Sequence, residues 1–185
     1  MNKTDIISKV KNHFMLIVFF AVLFLLIFLR SYVFGIYIVP SESMLNTLQV
    51  GDMLFGNKLE YVGDNSPEEG DIITFISPEN SSNTLVKRVV ATEGQTIDIE
   101  DGKLTVDGKV VDEDYVIGST NQLIDYDGKS YIKYPYTVPT DCVFVMGDNR
   151  ENSRDSRVFG AVNVSLIQSK IKFIYFPFDR AGSVY

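Results

Sequence analysis

Two serines stand two positions apart in Pro40-Ser41-Glu42-Ser43-Met44, and a serine hydroxyl attacks a carbonyl once a base takes its proton and donors hold the oxyanion. The base is not histidine: the chain has one, His13, at the other side of a long apolar stretch from Ser43. That leaves a lysine or a carboxylate. Lys87 lies in Thr84-Leu85-Val86-Lys87-Arg88-Val89-Val90-Ala91, where strand alternation groups it with Leu85 and Val89. On that face an amine is poorly hydrated, which disfavours its charge and lowers its pKa, and the neighbouring Arg88 charge is expected to push the same way. Starting near 10.4, a lysine that works as a base at neutral pH must come down by about three units. Each motif also has a plainer reading. The serines fit a polar turn ending a strand, and the two basic residues fit the solvated side of an edge strand.

A third motif runs from Phe144 through Gly147-Asp148-Asn149-Arg150 to Gly160, a strand opening into a densely charged loop. Arg150, Arg154 and Arg157 are expected to pair with Asp148, Glu151 and Asp155 and so pin that loop. Its oxygens do not follow the spacing of a calcium loop, and three arginines repel a cation. With one cysteine, Cys142, and one histidine, the chain has no zinc-binding pattern, and no metal or cofactor is implied. A fourth stretch, Gly51–Lys58, reads as a turn and a strand with no chemistry of its own.

These residues need a scaffold, and the 185-residue chain supplies one of mostly β type behind an apolar helix. From Phe14 to Leu29 all sixteen residues are apolar. A membrane span needs roughly 17–25 residues. Snorkelling of Arg30 extends the apolar run into a helix from about 12 to 31, read as an uncleaved anchor because no Ala-x-Ala-like site follows it. Lys3, Lys9 and Lys11 precede it, while residues 30–185 carry 14 basic and 23 acidic residues, so the N-terminus is expected in the cytoplasm. The expected layout is a cytoplasmic segment 1–13, a transmembrane anchor 14–31 and an extracytoplasmic domain 32–185. In that domain, Val33–Val39, Met53–Leu59, Asp71–Ile76, Leu85–Ala91, Cys142–Met146 and Ile171–Phe176 read as strands. Asp101-Gly102, Asp107-Gly108 and Asp127-Gly128 mark tight antiparallel hairpins. A net charge of -7 and a pI near 4.7 argue against nucleic acid as a partner.

Taken in order, these motifs resemble the bacterial type I signal peptidases, membrane-anchored Ser/Lys endopeptidases that remove signal peptides from exported preproteins. An anchor is followed by Pro40–Met44, Gly51–Lys58, Lys87–Val90 and Gly147–Gly160, and the single anchor and short chain are most similar to the compact Gram-positive type. The resemblance implies an antiparallel, barrel-like catalytic domain. It implies Ser43 as nucleophile and Lys87 as base, with the Ser43 N–H and the Ser41 hydroxyl as oxyanion donors. Ser153 would orient the Lys87 amine, and Asp155 and Arg157 would form a supporting ion pair. Substrate would lie extended along Tyr37–Pro40 and Leu85–Lys87, with small residues at -1 and -3 meeting pockets around Tyr37, Val39, Pro40, Met44 and Leu85. Phe173, Phe176 and Phe178 are candidates for contact with membrane lipid, an internal strand being an equal reading of the first two. The family usually has proline two residues after the methionine. Here Asn46 stands there, which is expected to loosen the chain after Ser43 and would suit a dedicated substrate range such as pilus subunits. Two other readings stay open: a membrane-tethered β-rich assembly factor without activity, and a self-cleaving Ser/Lys protease.

Overall fold

A computed structural model describes residues 3–63 and 65–185, with side chains from His13 onward. Residues 1 and 2, and the side chains of the basic flank Lys3, Lys9 and Lys11, lie outside the described residues. The chain divides into two units, one ending at Phe34 and the other comprising Gly35–Tyr185. The first is helix α1, Lys3–Tyr32. Its stretch His13–Tyr32 has a mean hydropathy of 2.7 and is nowhere buried. A helix apolar on every side has no face suited to water, and 20 residues are long enough to cross a bilayer core. It begins well before the apolar run, because lysine, isoleucine and their neighbours in 3–12 continue a helix without needing hydrocarbon around them.

The second unit is antiparallel β. Its strands are β1 (Phe34–Ile38), β2 (Met53–Asn57), β3 (Ile72–Ile76), β4 (Thr84–Thr92), β5 (Thr96–Glu100), β6 (Lys103–Val106) and β7 (Lys109–Val110). Then follow β8 (Tyr136–Thr137), β9 (Cys142–Met146), the short helix α2 (Ser156–Phe159), β10 (Val162–Asn163), β11 (Ile167–Phe176) and β12 (Gly182–Ser183). The larger sheet runs β1-β2-β11-β3-β4-β9-β10, with β12 added to β11, and the smaller runs β7-β6-β5-β8. The turns between β5, β6 and β7 fall on the expected Asp-Gly pairs. Asp101 and Gly102, and Asp107 and Gly108, all have positive φ, the conformation that a two-residue hairpin turn demands at both central positions. The third pair forms no ladder; a lone bridge between Ile124 and Ser130 closes it, since Tyr126 beside it is fully exposed and buries nothing. Strand β11 starts four residues before the expected Ile171, because Ser169 is buried and Lys170 reaches an ion partner, Asp71, giving polar residues a place in the ladder.

Apolar side chains fill both faces of the central strands. Ile72 and Ile174 join Val39, Met44, Leu48 and Leu54 on one face, while Ile73 and Phe75 join Val89, Val143 and Val145 on the other. A strand covered twice reads as a continuous apolar run, as Ile72-Ile73 does. Strand β4 changes partner midway: Thr84–Arg88 pair with β3, whereas Arg88–Thr92 pair with β9. Along Thr84–Lys87, therefore, one edge of β4 has no strand partner among the described residues.

Candidate active site

Ser43 sits in a single helical turn, Glu42–Met44, directly after β1. Met44 and Leu48 are sunk in the core and hold the turn from beneath. From the side, the Asn149 N–H donates to the Ser43 carbonyl at 3.1 Å, and Asn149 Nδ2 donates to the Glu42 carbonyl at 3.2 Å. Lys87 Nζ donates to Ser43 Oγ at 2.6 Å and to the Val86 carbonyl at 3.0 Å. Lys87 is 3% exposed, and burial pushes its amine down to about 8. Asp155 and Asp148 work against that fall, and Arg157 adds to it. Ser41 is exposed, and its hydroxyl donates to Ser43 Oγ over a long 3.4 Å.

The charged loop departs from the expected pairing in an instructive way. Arg157 and Asp155 do pair, doubly and out of water, with Nε and Nη2 each donating at 2.9 Å. The Asp155 carboxylate also accepts from the Gly147 N–H at 3.0 Å, and Arg157 Nη2 donates to the Arg150 carbonyl at 2.7 Å. The other two arginines leave the loop: Arg150 pairs with Glu113 and Arg154 with Glu79. Asp148 turns to Arg88, whose guanidinium lies 3.9 Å from the centre of the Tyr115 ring. Carboxylates distant in sequence become nearest in space, which spacing along the chain does not reveal. Arg88 therefore does not supply the positive neighbour that lowers Lys87; alternation turns it to the opposite face, and Arg157 takes that part. Nor does Ser153 hold the Lys87 amine. Its Oγ is buried beside Gly147 without a hydrogen-bond partner among the described residues, and the amine's bonds go to Ser43 and Val86.

Tyr37, Val39, Pro40, Met44 and Leu85 come together in space, lining with Ser43 and Lys87 a cleft of about 390 Å³. Its long sides are the outer edge of β1 and the unpaired edge of β4. Asn46 corrects a further expectation. Its backbone adopts φ 88°, and its Nδ2 donates to the Tyr115 carbonyl at 3.2 Å, so the chain after Ser43 is tethered rather than loosened. Asn149 is the residue that sequence reasoning left without a role, and Arg88 and Asn46 are the two whose role it misplaced. The crowding of asparagine and arginine around Asp148 was the available signal.

A hydroxyl in hydrogen-bond contact with a buried amine, beside a cleft walled by two strand edges, is the equipment of a serine hydrolase in which an amine replaces histidine. The family described as signal peptidase, peptidase S26, matches residues 11–176. Signal peptidase I of Bacillus caldolyticus is 38% identical over 164 residues, covering 82% of this chain and 85% of that one. Signal peptidase I P of Bacillus subtilis subsp. natto is 37% identical over 161 residues, covering 85% of each. A solved signal peptidase I from Enterococcus faecalis, 32% identical, aligns with a TM-score of 0.47 over 58% of this chain and 98% of that one. The chain belongs to the signal peptidase family, peptidase S26, serine endopeptidases that cleave signal peptides from preproteins.

Proposed function

We propose that this peptidase works through Ser43 as nucleophile and Lys87 as general base. The observation that carries the reading is the 2.6 Å contact between Lys87 Nζ and Ser43 Oγ, made by an amine that burial brings down to about 8. In its neutral form the amine accepts the Ser43 proton as Oγ attacks the scissile carbonyl carbon. Negative charge then gathers on the carbonyl oxygen, where the Ser43 N–H and the Ser41 hydroxyl are the donors at hand. The C–N bond breaks as protonated Lys87 returns its proton to the leaving amine, and water, activated by the same amine, hydrolyses the Ser43 ester. The Asp155–Arg157 pair supports the site from behind, through Gly147.

Substrate lies extended between β1 and β4, its main chain meeting their free edges. Its small -1 and -3 residues enter the cleft near Val39, Met44 and Leu85. Residues 14–31 anchor the chain with 1–13 on the cytoplasmic side and 32–185 outside, a layout supported by the basic N-terminal flank and the acidic remainder. Phe176 and Phe178, 44% and 84% exposed, suit contact with membrane lipid.

The test is cleavage of purified secretory precursors in detergent by the wild-type chain and by Ser43→Ala, with the product N-terminus identified. Cleavage after a small residue, lost in Ser43→Ala, is the expected result. No cleavage by either folded protein, across precursors that include pilin-like ones, moves the reading to an inactive assembly factor.

A further inference from the structure

Among the residues that line the cleft stands one that proton transfer does not use. Strand β1 turns Gly35, Tyr37 and Val39 inward, Gly35 and Val39 buried and Tyr37 partly so. The Tyr37 ring folds back over Gly35 and passes Gly56 of β2, and a Cβ at Gly35 would overlap the ring itself. Ser169 of β11 donates to the Tyr37 hydroxyl at 3.1 Å, and Thr74 of β3 lies 2.8 Å from Ser169 Oγ. Both are buried, at 1% and 0% exposure. With the Ser169 proton on Tyr37, Thr74 is the donor of the pair, to Ser169 Oγ at 2.8 Å and over a long 3.5 Å to the Ser169 carbonyl. The phenol then keeps its own proton to give, and Tyr37 is one of the residues that line the cleft.

Register says which part of a substrate comes there. Residues -1 and -3 of an extended peptide point the same way, about 6.7 Å apart, the same step that separates Val39 from Tyr37 along β1. With -1 beside Val39 at the dyad, -3 reaches Tyr37.

We propose that Tyr37, held by Ser169 and Thr74, makes the -3 subsite read a hydroxyl, so that precursors with threonine or serine at -3 are preferred over those with valine or alanine. The proposal rests on the Ser43–Lys87 reading and on the substrate path given for it. A valine covering the phenol cuts its proton off from water and offers nothing in return, whereas threonine, of nearly the same shape, accepts it.

The test uses full-length protein in detergent and precursor pairs that differ only at -3, threonine against valine and serine against alanine, with kcat/KM as the readout. Wild type is expected to favour threonine over valine by about fivefold, a factor that disappears in Tyr37→Phe. Ser169→Ala, which keeps the ring but removes its partner, is expected to lower the ratio too. A wild-type ratio at or below one overturns the proposal, as does a ratio unchanged in Tyr37→Phe. Failure of the underlying reading looks different: wild type then cleaves no precursor, whatever stands at -3.

Discussion

Lys87 serves catalysis and stability in opposite directions. Only the neutral amine can take the Ser43 proton, so kcat/KM is expected to rise with pH and level off above about 8, the value to which burial brings the group. The same shift acts on folding. Between pH 8 and 10.5 the unfolded chain holds a proton on this lysine that the folded chain does not, so stability gained from this residue rises with pH across that window. At neutral pH the buried amine therefore costs about 3 kcal/mol. Lys87→Met should be inactive yet more stable by roughly 2–3 kcal/mol at pH 7, a gain that vanishes above pH 10.5 in denaturant titrations. Asp155→Asn acts the other way on stability: it strands the buried Arg157 charge and should lower it by roughly 3–5 kcal/mol, measured by denaturant titration at pH 7. At this scale much was legible. A serine needs a base, histidine is excluded by position, and an apolar strand with one lysine narrows the choice. Which acids Arg150 and Arg154 meet was not legible, because Glu113 and Glu79 approach them only through the fold.

Among the elements, the segment joining Ser43 to β2 is held at Asn46 by that residue's bond to the Tyr115 carbonyl. A φ of 88° at Asn46 lies outside the range of proline, whose ring holds φ near -65°. Restoring the family's usual residue by Asn46→Pro is thus expected to destabilise the protein by roughly 3 kcal/mol and to depress cleavage, because Ser43 lies in the preceding turn. Asn46→Gly, free to adopt positive φ, should cost no more than about 1 kcal/mol through the lost bond to Tyr115. Thermal melts and precursor cleavage together separate the two. Strands β2, β3, β4 and β9 were readable from β-branched and aromatic runs, and β5–β7 from their Asp-Gly turns. The opening of β11 was not, since Gln168, Ser169 and Lys170 are polar and meet partners distant in sequence: Thr84 of β4, Thr74 of β3 and Asp71.

For the molecule as a whole, the division at Phe34 has a direct consequence. The unit Gly35–Tyr185 contains its own core, so a chain beginning at Gly35 should fold and partition into the aqueous phase of a detergent separation, whereas the full chain should follow the detergent. Recovery of the short form only as aggregate would show that the helix is needed for folding. The two open strand edges also bear on turnover. Every contact proposed for the peptide lies upstream of the bond that is cut, so after cleavage the mature protein departs with none of them and the signal fragment keeps them all. On the proposed path the enzyme is then left holding the piece that is to be discarded, and a new cycle waits on release of that fragment from the groove.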